Sequence, residues 1–275
     1  VQADDTAVDP SGDDAGPLPS PTRVDILVVV DDSGSMAAEQ DNLRAAMPAL
    51  VGALLDPPLD PVTGQPVHAP VRDLHLGVIG TNLGAGGYGV SGCDGLGDDA
   101  ILLHTPQTAG CDAAYPLFLS YLIGATDPPD DAAIAELSED FGCIAVLGIE
   151  GCGFEQPLEA AHKALLVHAR PGGPNDGFLR DDSLILIVFI TDEEDCSAED
   201  NALFDLTAVS YPVNLRCFQE KDMLHDVSRY VNGFRSLRAD PDHVVVGMIV
   251  GVPLAPACNG RGTHLAGCLD QPAME

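Results

Sequence analysis

The sequence predicts an α/β protein: a doubly wound, mostly parallel sheet with helices on both faces and disulfide-bearing loop insertions. Three observations carry that prediction. Strand-length apolar runs alternate with segments whose apolar residues recur at helical spacing, the pattern of a parallel sheet covered by helices. The runs are apolar at successive positions rather than at alternate ones, as strands buried on both faces are. Two of them, Val24–Val30 and Ser183–Ile190, stop abruptly on oxygen-bearing side chains, in "DDSGS" and "TDEED".

In chain order, residues 1–23 ("VQADDTAVDPSGDDAGPLPSPTR") hold Asp, Pro, Ser and Gly but few large apolar residues, so they read as a disordered acidic tether. Val24–Val30 is the first strand. A helix follows from Met36, where Met36, Leu43, Met47, Leu50 and Leu54 recur, and Pro48 is expected to kink it near Met47. Asp56–Pro66 is turn-rich, and Leu74–Gly80 is the second strand. After a glycine-rich segment through Cys93, Ala100–His104 is expected to return beside it as a strand, and residues 111–130 to be an irregular insertion. A helix is expected over Asp131–Leu147. Another starts near Glu155, since Leu158, Ala161, Leu165 and His168 step at helical intervals; His162 and His168 sit on its surface. Ser183–Ile190 is the most apolar run and is expected to be the central strand. Leu224, Val227, Val231 and Phe234 mark a helix, and His243–Val250 a further buried strand. One domain, 24–252 with an insertion near 84–130, thus precedes a cysteine-bearing C-terminal segment, 253–275.

Lys and Arg number 12 against 43 Asp and Glu, a net charge of −31. Such a chain repels nucleic acid and anionic lipid and attracts divalent cations. The apolar runs fall far short of the ~20 residues of a membrane helix, so no transmembrane segment is expected. Cysteines stand at 93, 111, 143, 152, 196, 217, 258 and 268, with no CxxC pair. Their even number suits disulfides and an extracytoplasmic place, secreted or tethered at a cell surface. Short loops favour sequential pairing: Cys93–Cys111, Cys143–Cys152, Cys196–Cys217 and Cys258–Cys268. The alternative for the last pair is metal ligation by Cys258, His264 and Cys268.

In open α/β sheets, ligands bind beyond the carboxyl ends of the strands, where both oxygen-rich tips lie. "DDSGS" fits D-x-S-x-S through Asp31, Ser33 and Ser35, between an apolar strand and a helix. With "VDILVVVDDSGSM" and "LILIVFITDEED", residues 24–252 resemble a von Willebrand factor type A (vWA) domain of the exported bacterial type, with its Rossmann-like sheet and metal-ion-dependent adhesion site. The resemblance implies Mg²⁺ or Ca²⁺ held by Asp31, Ser33, Ser35 and Asp192. The family adds a threonine before an Ala–Leu-rich helix. Here that place reads "GCGFEQPLEA", and the nearest oxygen donor is Glu155. Glu155 either substitutes as a ligand or only favours the helix start electrostatically. As a third carboxylate it would favour Ca²⁺ and weaken the ion's pull on a partner. The family's sixth strand and last helix are not recognisable, so the chain reads as a shortened member or a fragment.

The resemblance implies an exported adhesion or protein-binding module, not an enzyme, whose metal contacts a partner's acidic side chain. The alternatives are an extracellular domain with a structural ion and no exchangeable ligand, and a metallohydrolase. The last lacks HExxH or a similar motif, and neither Ser33 nor Ser35 lies in G-x-S-x-G.

Overall fold

The computed structural model describes residues 22–122, 131–207, 209 and 211–250. Its centre is a five-stranded mixed sheet in the order β3-β2-β1-β4-β5. Strands β1 (Arg23–Val30), β2 (Asp73–Gly80), β4 (Leu184–Thr191) and β5 (Val244–Val250) run parallel; β3 (Leu119–Leu122) pairs antiparallel with β2 at the edge. Their carboxyl ends are level: Val30 lies opposite both Gly80 and Ile190.

The continuous apolar runs have the predicted cause. Ile26, Val28 and Val30 enter one buried cluster with α1 (Ala37–Leu55) and α2 (Asp131–Ile144), through Met47, Val51, Leu55, Leu137 and Phe141. Leu27 and Val29 enter another with α3 (Pro157–Lys163, extended by a wider turn over Ala164–His168) and α5 (Val227–Arg235), through Ala160, Ala161, Leu165, Tyr230 and Phe234. A short α4 spans Arg216–Gln219. Helix α1 continues through Pro48, whose exposed position lets water reach the carbonyl that the ring leaves unpaired. Among the described residues, no helix is long and apolar enough to cross a membrane.

Four expectations need correction. Ala100–His104 is not a strand. Asp99 and Ala100 take left-handed φ values of 52° and 56°, Leu102 N–H bonds the Asn175 side chain, and the single bond of Leu103 N–H to the Val78 carbonyl of β2 at 2.8 Å does not grow into a ladder. The run is a cover, with Leu102 lying against Gly77, where a Cβ would not fit. Conversely, the segment expected to be irregular supplies β3. Strand β5 is not buried among the described residues: it is an edge strand, with Met248 and Ile249 60% and 61% exposed. Arg23, assigned to the tether, begins β1 and pairs with Asp73 and Asp182. The tether's residues 1–21 and segment 253–275 lie outside the described residues.

The bridges are Cys93–Cys152, Cys111–Cys143 and Cys196–Cys217. Only the last was expected; Cys93–Cys111 and Cys143–Cys152 are replaced. The sheet's carboxyl edge lays the glycine-rich loop at 84–98 against the loop at 148–154, so closely that a Cβ on Gly92 would stand 2.7 Å from the Gly151 carbonyl oxygen. The end of α2 carries Cys143 to Cys111 instead. Spatial approach, not loop length, sets both pairs. Three disulfides point to an oxidising compartment. Cys258, His264 and Cys268 lie outside the described residues.

Candidate metal centre

Strands β1 and β4 stay paired to their last residues, so their tips meet. Asp31 N–H donates to the Ile190 carbonyl at 2.9 Å. The fully buried Asp31 carboxylate accepts Ser33 N–H at 2.8 Å through Oδ1 and the Thr191 hydroxyl at 2.7 Å through Oδ2. The first of these bonds turns the chain back over the tip and brings the alternate serines into line. Ser33 Oγ and Ser35 Oγ are 3.1 Å apart, and Ser35 Oγ donates to Asp192 Oδ1 at 3.0 Å. Oxygens coordinating one Mg²⁺ at about 2.1 Å lie about 3.0 Å apart along an octahedral edge. The string Ser33–Ser35–Asp192 therefore already has the spacing of neighbouring ligands. Ser35 and Asp192 are exposed, which gives an ion and a further ligand access.

Glu155 lies beneath, 1% exposed, with Oε1 lacking a hydrogen-bond partner. Burial first, then Glu193, Asp31 and Asp32, push its carboxyl up to about 9. Without a cation it therefore holds its proton and hydrogen-bonds Glu193, itself raised by burial, Asp31 and Asp192. Asp32 is pushed up to about 7 by burial, then by Asp98 and Asp31. The five predicted residues thus divide in two. Four form a hydrogen-bonded string, and Glu155 joins them through its field rather than through a bond. Among the described residues, no three Asp, Glu, His or Cys side chains gather closely enough to hold an ion as they lie. The donor set is two acids and two hydroxyls, with Glu155 in reserve.

Sequence reasoning missed three residues here. Thr191 positions Asp31, and its place in "ITDEED" was the available signal. Thr81 follows β2 in line with Asp31, fully buried, its hydroxyl without a partner. Gln40, on α1, is buried and fully bonded. It donates to the Asp31 and Gly148 carbonyls, each at 2.9 Å, and accepts Leu147 and Gly148 N–H at 2.9 and 3.1 Å. It clamps the β1 tip to the loop that leads towards Glu155.

No family model matches the chain, nor does any curated protein. Among solved structures, it is similar to proximal thread matrix protein 1 of the mussel byssus, at 10% identity and a TM-score of 0.30, covering 82% of this chain and 44% of that one. It is also similar to a pilus adhesin of Streptococcus pneumoniae, at 14% identity and a TM-score of 0.27, covering 78% and 24%. The chain thus spans less than half the length of either, and likeness this low carries no argument.

Proposed function

We propose that this chain is a divalent-cation-dependent protein-binding module of the vWA kind, acting outside the cytoplasm. Ser33, Ser35 and Asp192 would hold Mg²⁺ or Ca²⁺ directly, with Asp31 behind them, and a carboxylate of the partner would complete the shell. The observation that carries this reading is the string of oxygens spaced 3.1 and 3.0 Å between two strand tips, buried at Ser33 and open to solvent at Ser35 and Asp192. The ion would supply positive charge to a site that has none of its own. Among the described residues, no Lys, Arg or His forms an ion pair with Asp31, Glu155, Asp192 or Glu193.

The buried Glu155 favours a second reading, a structural ion without an exchangeable ligand. If its carboxylate reaches the ion, three acids neutralise it and little attraction for a partner is left. Titration calorimetry with Mg²⁺ and Ca²⁺ on wild type, Ser35→Ala and Asp192→Asn tests the site. Both exposed substitutions should lower affinity by about tenfold or more while the melting point without metal hardly moves. Unchanged affinity in both would remove the assignment. Acetate added as a stand-in for a partner carboxylate separates the readings: an exchangeable site binds ion and acetate cooperatively, a structural one does not.

A further inference from the structure

Asp32 stands between Asp31 and Ser33, but its carboxylate makes no bond to the string Ser33–Ser35–Asp192. Along β1, side chains alternate between the two faces: Val28 and Val30 enter the cluster under α1 and α2, Val29 the one under α3 and α5. Asp31 turns to Thr191, whereas the Asp32 carboxylate occupies the space that a Cβ on Gly151, in the loop after α2, would take. Asp98 comes to the end of β2 from the glycine-rich loop. Its carboxylate fills the place of a Cβ on Gly80, next to Leu147, which packs on the α1/α2 cluster. Both acids therefore rest on glycines that leave room for them.

Their surroundings are fixed. The Asp32 carbonyl accepts Gly151 N–H at 2.9 Å, and Asp98 N–H donates to the Asn82 carbonyl at 2.9 Å. The Cys93–Cys152 bridge ties together the two loops that carry Asp98 and Gly151. Yet the charges are unanswered. Asp32 is 9% exposed and its Oδ1 has no hydrogen-bond partner. Among the described residues, neither Asp32 nor Asp98 has an ion pair with Lys, Arg or His. Of the charges around Asp32, Asp98 is the one that acts on it most strongly, and two neighbouring carboxylates without a donor are costly unless a cation answers them. Asp98 is only half-buried, which leaves a way in from solvent.

We propose that Asp32 and Asp98 form a second cation site, suited to Ca²⁺, at the carboxyl edge of the sheet beside the centre at Ser33, Ser35 and Asp192 and with a different ligand set. Ca²⁺ fits because it accepts two carboxylates with carbonyls and water in irregular geometry, whereas Mg²⁺ demands a near-ideal octahedron. The absence of His and Cys thiolate from the pair disfavours zinc.

The test is the number of Ca²⁺ ions bound by the disulfide-intact chain in equilibrium dialysis. Wild type should bind two. Asp98→Asn should lose one, or weaken it by about tenfold or more, as removal of one ligand charge does, and keep the other. Ser35→Ala should show the opposite loss. Asp32→Asn, of the same shape as the native residue, is the second variant should Asp98→Asn fail to fold. Wild-type stoichiometry and affinity in both asparagine variants would overturn the second site and leave the first standing. A single ion lost in Asp98→Asn but kept in Ser35→Ala would uphold the second site and overturn the first. No Ca²⁺ binding at all would overturn both.

Discussion

Replacing Glu155 by Gln should remove part of the chain's pH dependence. In the fold, burial and the carboxylates of Glu193, Asp31 and Asp32 raise Glu155 from its ordinary 4.5 to about 9. The folded state therefore binds this proton more tightly than the unfolded chain does. The stability it contributes is fully present below pH 4.5 and is lost as pH rises towards 9. Each pH unit in that interval costs about 1.4 kcal/mol. From about pH 5.5 to pH 7.5, metal-free wild type should lose about 3 kcal/mol relative to Glu155→Gln, whose amide keeps the shape and can still donate to Glu193. Asp32 shifts in the same direction but is common to both proteins, so the difference isolates Glu155. Urea denaturation at several pH values in chelator measures it. A cation that recruits Glu155 must displace this proton. Calorimetry near pH 7 in two buffers of different ionisation enthalpy should then show up to one more proton released per ion by wild type than by Glu155→Gln, the contribution of Asp32 being common to both. Parallel pH profiles would refute the buried-acid argument. Equal proton release would place Glu155 outside the ion's shell.

Gln40→Ala removes four hydrogen bonds and leaves the buried Asp31 carbonyl and the half-buried backbone groups of Leu147 and Gly148 unanswered; urea denaturation should show a loss of about 2–4 kcal/mol. Cation affinity should weaken with it, because the Asp31 carbonyl and the 147–148 loop lose their common clamp. At the other end of the strands, Asp25 is fully buried against Arg180 N–H and Nε at 2.8 and 2.7 Å and the Ser183 hydroxyl. Arg180→Met removes the closest cation from that carboxylate, leaving Arg238 at 3.6 Å, the backbone N–H and the Ser183 hydroxyl, and should cost about 2–3 kcal/mol in the same assay, with cation affinity unaltered.

What the sequence made legible depended on whether the physics was local. Strands β1, β2 and β4 are buried on both faces, and that alone produces runs such as "DILVVV" and "LILIVFI". Asp31, Ser33 and Ser35 lie within one turn, so their spacing is their geometry. Hydropathy reports what a residue is, not what covers it. Ala100–His104 and β5 are both apolar, yet one is a cover without ladder geometry and the other an edge strand. The bridge Cys93–Cys152 spans 59 residues, and no preference for short loops finds it. Gln40 and Thr81 were illegible for the same reason. Each matters because of strand register or a loop more than a hundred residues away, as the Gln40–Gly148 bond shows.

The net charge of −31 was legible, but its distribution was not. At the amino end of the sheet, acids are answered: Asp25 and Asp73 by Arg180, Asp73 and Asp182 by Arg23, with Arg238 near Asp25 at 3.6 Å. At the carboxyl end, Asp31, Asp32, Asp98, Glu155, Asp192 and Glu193 meet hydroxyls, N–H groups and one another. Among the described residues, no cationic side chain pairs with them. A general acidic surface would spread its charge and remain solvated, whereas here three of the six acids are buried. Buried carboxylates without a partner either hold protons, as Glu155 does near neutral pH, or take up a cation from outside. These alternatives respond oppositely to chelator: a protonated edge keeps its stability when Ca²⁺ is removed, and a metal-filled edge loses it.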